Sequence, residues 1–423
     1  MEGFHRKNGV LHVDNIPLPE IAKTAGTPTY VYSASIIRQQ FSALRESFSK
    51  FLPADRQPLL CYACKANSNI AILKLLQGLG AGLEIVSEGE LYRGAKAGFT
   101  GDKIISTSFG KEEEEIKACL SANIHQFNIE SPDELAHVNR YAGESGKVAK
   151  VLFRLNPDVQ GGGHSKIQTG KKTHKFGNSA TRILELYKIA TEMENVEPVG
   201  VSVHIGSQVS TVSAFKPAFE RLAELVQTLR EQGHKVTRLD IGGGFPIVYK
   251  DEDLLDLDAY ARWVNDIIVP LDTEIQMEPG RYMVGNAGIL LTETLYIKKT
   301  QVRNFLVLDA AMNDLMRPAL YDAWHGIEPV SNADRTPVTY DVVGPVCESG
   351  DIFAANRDIP EIREGELVAI RSAGAYGFSM ASNYNSRPLP AEIMVDGDNV
   401  ATIRERQTMP DLIKGESISY WLT

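Results

Sequence analysis

The sequence lacks the features of several protein classes. Its 44 lysines and arginines are outnumbered by 54 aspartates and glutamates, which gives a formal net charge of −10. An acidic surface opposes binding to nucleic acid or anionic lipid. No stretch approaches the run of about 20 apolar residues that a membrane helix needs, and the N-terminus has no apolar core of a secretory signal. We therefore expect a cytoplasmic protein that takes a small-molecule substrate, without nucleic-acid or membrane partners.

Cysteine is also scarce, and its pattern is misleading. Four cysteines in 423 residues are too few for a disulfide framework. Cys61 and Cys64 form a C-x-x-C motif, but residues three apart in a strand point to opposite faces. No second C-x-x-C or H-x-x-x-H completes a zinc site. We expect no metal here, and the same alternation places Cys61, Ala63 and Lys65 on one face. The four cysteines are Cys61, Cys64, Cys119 and Cys347.

Short β-rich runs alternate with longer stretches of helical periodicity from about residue 59 to residue 280. In AFKPAFERLAELVQTLREQG, apolar residues recur three and four positions apart, as on the buried face of a surface helix. Eight strand–helix units in succession predict an α/β fold with a parallel (β/α)8 TIM barrel. The eight β-rich runs are LLCYACK, GLEIVS, KIISTS, HQFNIE, KVLFRLN, PVGVSVHIG, VTRLDIGGG and TEIQMEP.

The pattern changes after Tyr282 to consecutive strand-like runs, among them ILLTETLYIKK, NFLVLDAA and TPVTYDVVGPV. No long amphipathic helix lies between these runs, which predicts a second, mostly antiparallel domain built as a β-barrel or β-sandwich. We expect the barrel over residues 30–285, and the β domain over residues 286–423 together with residues 1–29. The strand-like segment TPTYVYS, which begins at Thr27, fits either domain.

Two glycine-rich stretches imitate nucleotide-binding motifs. GGGHSKIQTGKKTH fails the P-loop pattern because Ser165 replaces the first glycine and Lys172 replaces the final hydroxyl residue. DIGGGFP lacks the G-x-G-x-x-G spacing of a dinucleotide site, and a doubly wound sheet would usually carry that fingerprint. The first stretch lies within a loop over residues 161–177, which we expect to close over the site.

The residues that carry chemistry stand where barrel strands end, since catalytic groups of TIM barrels collect at the C-terminal face. Lys65 ends the first run and His204 the sixth. The seventh run ends in Gly242, Gly243 and Gly244, and the eighth in Glu278, Gly280 and Arg281. A lysine at this position is consistent with either a salt-bridge partner or a covalent anchor. A glycine triplet is consistent with either a tight turn or an anion-binding site.

A bound pyridoxal phosphate would account for all of these residues together. The loops after strands seven and eight commonly bind phosphate, while a deprotonated lysine amine forms a Schiff base with an aldehyde. Glu278 would face the pyridine nitrogen and keep it protonated, so that the ring accepts electrons from the substrate's α-carbon. His204 would stack on the ring. In isolation, a histidine within VSVHIGS is more often a core residue.

These residues match a known family. The chain resembles the group IV pyridoxal-phosphate decarboxylases, whose barrel is like that of alanine racemase, and most closely their diaminopimelate decarboxylase branch. The resemblance covers almost the whole chain. Its motifs include YACKANSN, EIVSEGEL, HSKIQTGKKTHKFG, VHIGSQ, DIGGGFP, EPGRY, MRPALY, GPVCESGD and GAYGFSMASNYNSRP.

The resemblance implies a role for each matching residue. Lys65 becomes the Schiff-base lysine and His204 the stacking residue. Gly244, Ser207, Tyr376 and the backbone from Glu278 to Arg281 become phosphate contacts. Arg281, Arg317, Tyr321 and Tyr376 match substrate-binding positions. Guanidinium groups suit the carboxylates of a dicarboxylic substrate.

CESGD carries two further residues. In relatives this motif belongs to the other subunit of a homodimer with a shared active site, so Cys347 would protonate the reacting carbon and Glu348 would bind the distal ammonium of the substrate. Lys65, once released from the cofactor, is the alternative proton donor. A buried thiol beside a surface acid is the alternative. The resemblance thus implies decarboxylation of meso-diaminopimelate at its D-centre to L-lysine, the end of lysine biosynthesis. The chain departs from the family at Glu84, where relatives typically carry aspartate.

Other activities fit the same fold. Decarboxylases of ornithine, arginine or a D-amino acid are the nearest alternatives, although ornithine-type relatives usually carry aspartate at the position of Glu348. An alanine racemase usually places an arginine at the pyridine nitrogen. This chain has the acid Glu278 there, which argues against racemase activity. A non-catalytic pyridoxal-phosphate-binding regulator would keep the fold but lose Lys65 or Cys347, and both are present.

Overall fold

The structure, a computed structural model, describes residues 3–159 and 176–422. Most of the loop expected to close over the site, residues 161–177, lies outside the described residues. The chain divides into two compact units. One unit comprises Ile37–Met283, and the other comprises Met1–Ile36 together with Val284–Thr423. Each unit is described by itself below.

The chain begins in the second unit with a small antiparallel sheet. The register of its strands places Phe4 opposite Val13 and His12 opposite Pro17. A short helix and a buried strand follow. These elements are β1 (Phe4–Lys7), β2 (Val10–Val13), β3 (Ile16–Pro17), α1 (Leu18–Ala25) and β4 (Thr29–Ser33).

The first unit contains a closed barrel of eight parallel strands in the order β10-β11-β12-β5-β6-β7-β8-β9. Each of the eight predicted runs contains one strand, so the predicted TIM barrel is confirmed. The elements are α2 (Ala34–Phe51), β5 (Leu59–Ala63), α3 (Ile70–Gly78), β6 (Gly82–Ile85), α4 (Glu88–Ala97), β7 (Ile104–Ser106), α5 (Glu113–Ser121), β8 (Gln126–Ile129), α6 (Pro132–Glu144), β9 (Ala149–Leu155), α7 (Ala180–Thr191), β10 (Val196–Val203), α8 (Lys216–Glu231), β11 (Arg238–Asp240), α9 (Leu257–Trp263) and β12 (Glu274–Met277).

Helix α8 shows why the outer ring packs onto the strands. Its apolar positions fall on one face and are buried, whereas its remaining face is charged. Phe219 of this helix lies in an aromatic cluster, with its ring centroid 5.6 Å from that of Tyr260 and 6.2 Å from that of Phe215. The cluster fixes α8 to the end of the barrel that also carries the glycine-rich loop, because Phe245 packs on Tyr260 at 4.9 Å.

Two of the turns that follow barrel strands use the same capping arrangement. Ser87 accepts a hydrogen bond from the backbone N–H of Glu90 at 3.2 Å, and the Glu90 carboxylate accepts one from the N–H of Val86 at 2.8 Å. Ser131 and Glu134 repeat this arrangement before α6. Such reciprocal bonds satisfy N–H groups that a helix start leaves unpaired. They define where β6 and β8 give way to helices.

The rest of the second unit is mostly antiparallel, as predicted. Strand β13 pairs with β4, β14 and β18, while β4 also pairs with β19, so the segment TPTYVYS belongs to this sheet. The sheet has nine strands, and two of its pairings, β14 with β16 and β4 with β19, are parallel. Helix α10 (Arg281–Val284) ends the barrel unit, with Val284 as the first residue of the second unit. The remaining elements are β13 (Gly288–Lys299), β14 (Asn304–Leu308), α11 (Arg317–Tyr321), β15 (Ile327–Pro329), β16 (Pro337–Val343), β17 (Ile352–Pro360), β18 (Leu367–Ile370), β19 (Ala391–Asp396), β20 (Asn399–Arg404) and α12 (Met409–Leu412).

An apolar core of buried side chains supports this sheet. It joins the N-terminal strands and α1 to the inner strands of the sheet, and all of its members are buried. They are Leu11, Val13, Leu18, Ile21, Val31, Ile289, Leu291, Val330, Ala369, Ile393 and Val395.

The described residues contain no helix that is both long enough and apolar enough to span a bilayer. The cytoplasmic location expected from the sequence stays a prediction.

Replacing Phe219 with alanine tests the packing of the outer ring. The side chain is 1% exposed, so the change leaves a cavity in the aromatic cluster, and we expect the free energy of unfolding to fall by about 3–5 kcal/mol. Urea unfolding followed by far-ultraviolet circular dichroism measures the loss. Tyr92→Ala is the matched control, since Tyr92 is 63% exposed and its loss should change stability by less than about 0.5 kcal/mol. Equal effects of the two changes would contradict this packing.

Candidate active site

The predicted residues of the barrel meet at the C-terminal ends of its strands. His204 follows β10 directly, Gly242 lies two residues after β11, and Glu278 follows β12. Lys65 lies just beyond β5. This strand ends at Ala63, and Cys64–Ala66 form a 3₁₀ turn. The expectation that strand alternation places Lys65 on the face of Cys61 and Ala63 is therefore wrong, because the chain has already turned.

Lys65 forms an ion pair with a buried acid. Its Nζ lies 2.8 and 2.9 Å from the two carboxylate oxygens of Glu84. The Lys65 side chain is 38% exposed, whereas Glu84 has no exposed surface. The hydroxyl of Thr107 also donates to Glu84. A buried carboxylate requires such partners, because its desolvation is costly. Glu84, at the position where the resemblance implies an aspartate, therefore contacts Lys65 directly.

His204 is neutral and its tautomer is defined. The backbone N–H of Gly243 lies 3.2 Å from His204 Nδ1, so Nδ1 accepts and the proton resides on Nε2. Burial lowers the pKa of His204 well below its ordinary value, and the positive charges of Arg154 and Lys65 lower it further. A neutral imidazole suits contact with an aromatic ring, as predicted for this residue.

Glu278 lies beside a second buried carboxyl group, that of Asp240, and the two share a hydrogen bond. Asp240 also accepts hydrogen bonds from the Asn128 amide at 2.7 Å and from the N–H of Gly242 at 2.9 Å. Burial raises the pKa of Glu278 well above its ordinary value, and the charges of Asp240 and Glu84 raise it further. Burial and the neighbouring negative charges therefore both favour the protonated form of Glu278.

Glycines allow the loop after β11 to approach its neighbours closely. A Cβ on Gly243 would lie 2.0 Å from the carbonyl oxygen of Glu278, and one on Gly244 would lie 2.3 Å from that of Gly206. Gly242 and Gly244 also have φ values of +70° and +94°, which favour glycine. Other residues cannot replace these glycines without moving the backbone.

Arg281 lies on the same rim and is buried. Its guanidinium donates to the hydroxyl of Tyr249 at 2.5 Å and to that of Ser207 at 3.1 Å. Gly280 precedes it, and a Cβ there would lie 2.9 Å from the Cβ of Ala63. Arg281 and Ser207, both predicted to bind the cofactor or the substrate, thus form one group.

Three further predicted residues belong to the second unit. Arg317 is buried and donates to His325 Nε2 at 2.9 Å, while Nδ1 of His325 donates to the carbonyl of Arg371 at 2.8 Å. This neutral tautomer holds the guanidinium in place. Tyr321 ends the same helix and is half-buried. Tyr376 has a φ of +55°, which is uncommon for a residue with a bulky side chain and is often found at functional sites.

The CESGD motif is anchored within the second unit by the segment that contains Tyr384. The Tyr384 hydroxyl donates to the Glu348 carboxylate at 2.7 Å, and the N–H of Cys347 donates to the Asn385 side chain at 3.2 Å. Cys347 and Glu348 are exposed. The alternative of a buried thiol is therefore wrong for Cys347, whereas Cys61, Cys64 and Cys119 are buried.

Several residues that orient the predicted ones were missed. Asp240 ends β11 two residues before the glycine triplet, and a polar residue inside a buried strand was its only signal. Tyr384 and Asn385 lie in a segment quoted for its resemblance, but nothing in the sequence indicated that they contact the CESGD motif. The missed orienting residues are Thr107, Asn128, Asp240, Tyr249, His325, Tyr384 and Asn385.

The barrel residues fit the predicted pyridoxal phosphate by their chemistry. Lys65 supplies an amine, Glu278 a buried acid with a proton for a ring nitrogen, and His204 a neutral ring. Arg281 and Ser207 supply donors for an anion. A small cavity at this end of the barrel includes His204, Asp240 and Glu278 in its lining.

The comparisons with known proteins agree with this reading. Residues 34–285 match the model of the pyridoxal-dependent decarboxylase, pyridoxal binding domain. The diaminopimelate decarboxylase of Neisseria meningitidis serogroup A is 45% identical over 406 residues, which are 96% of this chain and 98% of that protein.

Solved structures resemble the whole chain. That of M. jannaschii diaminopimelate decarboxylase in complex with L-lysine has a TM-score of 0.94 at 36% identity, and the match covers 100% of this chain and 99% of that one. The Helicobacter pylori enzyme complexed with L-lysine has a TM-score of 0.89 at 38% identity, with 94% and 98% covered. The chain belongs to the pyridoxal-dependent decarboxylases and, within them, to the diaminopimelate decarboxylase family.

Proposed function

We propose that this protein decarboxylates meso-2,6-diaminopimelate at its D-configured centre, releasing CO2 and L-lysine, with pyridoxal 5'-phosphate as its cofactor. The observation that carries the proposal is the group at the barrel rim. There a lysine paired with a buried carboxylate lies at the same rim as a buried histidine that accepts a hydrogen bond from Gly243 and a buried acid whose pKa is raised. The family supplies the substrate, and the Helicobacter pylori and M. jannaschii enzymes were solved in complex with L-lysine, the product proposed here.

Bound pyridoxal phosphate supplies an electron sink for the bond that breaks at the α-carbon. Lys65 Nζ would hold the cofactor through its aldehyde carbon and release it when the substrate amine takes that place. Before it can react, Lys65 must lose a proton and leave Glu84. The buried carboxylate thus controls both the position and the protonation of the amine.

Glu278 and His204 would hold the ring. The Glu278 carboxyl would face the pyridine nitrogen and keep it protonated, which strengthens electron withdrawal by the ring and so favours loss of CO2. A racemase uses weaker electron withdrawal. His204, fixed by the N–H of Gly243, would cover one ring face and exclude water there. Arg281, Ser207, Tyr376 and the glycine loop would bind the phosphate.

The second amino-acid end of the substrate would be recognised by charged groups. Arg317 and Arg281 suit its carboxylate, and Tyr321 and Tyr376 add hydroxyl donors. The Glu348 carboxylate, held by Tyr384, suits the distal ammonium. Cys347 would donate its thiol proton to the carbon that has lost CO2.

We also propose a homodimer in which Cys347 and Glu348 of one subunit complete the active site of the other. The exposure of both residues supports this arrangement, because reactive groups that serve a neighbouring subunit must be accessible on their own. The family resemblance gives the same assignment. A lone subunit would then bind the cofactor but turn over little substrate.

Substrate choice is tested by CO2 release from the purified protein loaded with pyridoxal phosphate. We expect release from meso-diaminopimelate with formation of L-lysine, and no release from the LL isomer, because only the D-configured centre reacts. L-ornithine, L-arginine and D-lysine run in parallel. Faster turnover of any of these would overturn the roles of Glu348 and the arginines but keep the fold and cofactor. Cofactor binding without any turnover would favour a regulator.

Lys65→Arg tests the covalent role of the lysine. Arginine keeps a positive charge beside Glu84 but cannot form the bond, so we expect kcat to fall by about 10³-fold or more. The absorbance band of covalently attached cofactor should also vanish, while the melting temperature changes little. Lys50→Arg is the matched control, since Lys50 pairs with Asp258 at 3.1 Å on the surface. Activity of Lys65→Arg close to wild type would refute the role.

Mixing two inactive variants tests the shared site. Lys65→Arg and Cys347→Ala dimers are combined and allowed to exchange subunits. After exchange, half of the dimers contain one subunit of each variant. Each of these mixed dimers has one intact site out of two, so about one quarter of wild-type activity should return. Lys65→Arg mixed with the double variant should recover nothing. Native mass spectrometry confirms exchange, and mixed dimers without activity would contradict the proposal.

A further inference from the structure

A hydrogen-bonded polar chain crosses the interior of the barrel. Gln126 donates to Asn128 at 3.2 Å, and Asn128 donates to Asp240 at 2.7 Å. Strands β8 and β11, which carry Asn128 and Asp240, are not neighbours in the barrel, so this bond spans its interior. Asp240 then bonds to Glu278, which also lies 3.5 Å from the Asn128 amide. All four residues are buried.

The carboxyl pair at the end of this chain contains one proton. The amide of Asn128 lies 2.7 Å from Asp240 and 3.5 Å from Glu278, so the two buried carboxyl groups are neighbours. Two neighbouring buried carboxylates repel strongly when both are ionised, which favours a state with one proton. Asp240 accepts from both Asn128 and the N–H of Gly242, which favours its ionised form. The proton therefore resides on Glu278, which agrees with the raised pKa of that group.

The surroundings of Glu278 support the same distribution. Glu84 adds a negative charge and opposes ionisation, whereas Lys65 has the opposite effect but is already paired with Glu84. His204 is neutral and lies 3.7 Å away. Arg154 pairs with Glu130 at 2.8 Å. The titratable or charged groups around Glu278 are Cys61, Lys65, Glu84, Arg154, His204 and Asp240.

We propose that Asp240 is a positioning residue that keeps a proton stored on Glu278 in the empty barrel, ready for transfer to the ring nitrogen of the incoming cofactor. The inference rests on the proposed function in that it takes pyridoxal phosphate as the ligand. In the transfer, the O–H bond of Glu278 breaks and an N–H bond forms on the ring. The ring nitrogen gains a positive charge and Glu278 a negative one, with no proton taken from solvent.

Asp240 has a second effect after transfer. Its carboxylate remains beside that of Glu278, so two negative charges face one cation, and this raises the basicity of the ring nitrogen. Asp240 thereby maintains the strong electron sink without touching the ring. Its role is exerted through Glu278.

The stored proton can be observed in the cofactor-free protein by infrared spectroscopy. We expect a protonated-carboxyl band at pH 8 in the wild type that is absent from Glu278→Gln. In Asp240→Asn the band should titrate at a pH lower by about one unit or more, since a like charge has been removed. Glu115→Gln is the matched control, because Glu115 is a buried acid of the same unit that contacts Ser106 and Ser108 instead. It should leave the wild-type band and its titration unchanged.

Calorimetry of pyridoxal phosphate binding, repeated in buffers of different ionisation enthalpy, then counts protons. Glu278→Gln should take up about one more proton per bound cofactor than the wild type, unless its ring nitrogen stays unprotonated. The ¹⁵N signal of labelled cofactor distinguishes these two results. If the ring of Glu278→Gln stays unprotonated, storage is supported only when the wild type protonates its ring without taking up a proton, and uptake of about one proton by the wild type would overturn it. Equal uptake together with equal ring protonation in both proteins would overturn it.

The test remains decisive if Asp240→Asn does not fold. Glutamine at 278 can still donate to Asp240, and a stored proton makes wild-type stability fall as pH rises above the unfolded carboxyl pKa, about 4.3. Cofactor-free Glu278→Gln should therefore gain melting temperature relative to the wild type between pH 5 and 9. A constant difference across that range would refute storage. None of these readouts uses turnover, so failure of the decarboxylase assay is distinguishable from failure of this inference.

Discussion

The active end of the barrel depends on the electrostatic cost of placing acids where water is scarce. Glu84, Asp240 and Glu278 are buried close to one another, and the described residues around them offer one lysine, Lys65, in direct contact. The structure resolves this imbalance in two ways. Glu84 is neutralised by the ammonium of Lys65, and the other two acids share a proton. The ion pair holds the amine of Lys65 in place for the cofactor, and the shared proton is available for the cofactor's ring nitrogen, as the proposed chemistry requires.

Backbone groups determine the geometry of the active end of the barrel as much as side chains do. The glycine triplet lets the loop after β11 lie against Glu278, and its N–H groups orient both His204 and Asp240. One short stretch of sequence therefore sets the tautomer of a histidine and the charge of an aspartate. The capped turns after β6 and β8 similarly use paired serine and glutamate residues to end their strands at fixed points.

Sequence reasoning predicted the barrel well because its signals are repeated. A β-rich run predicted each strand, and the C-terminal ends of these runs indicated Lys65, His204 and Glu278 as site residues. It failed at the end of β5, where a 3₁₀ turn replaces the last residues of an apparently continuous strand. It also missed Asp240 and His325, since their partners are distant in sequence and a lone polar residue does not reveal what it contacts.

The ion pair between Lys65 and Glu84 has a chemical consequence for the protein before it receives its cofactor. An amine held as an ammonium has no lone pair, so Lys65 must lose a proton and leave Glu84 before it reacts with any aldehyde, the cofactor included, or with the acyl phosphates that modify exposed lysines. The same contact that orients Lys65 therefore shields it from irreversible damage. A newly made chain can wait for its cofactor with its reactive nitrogen chemically protected.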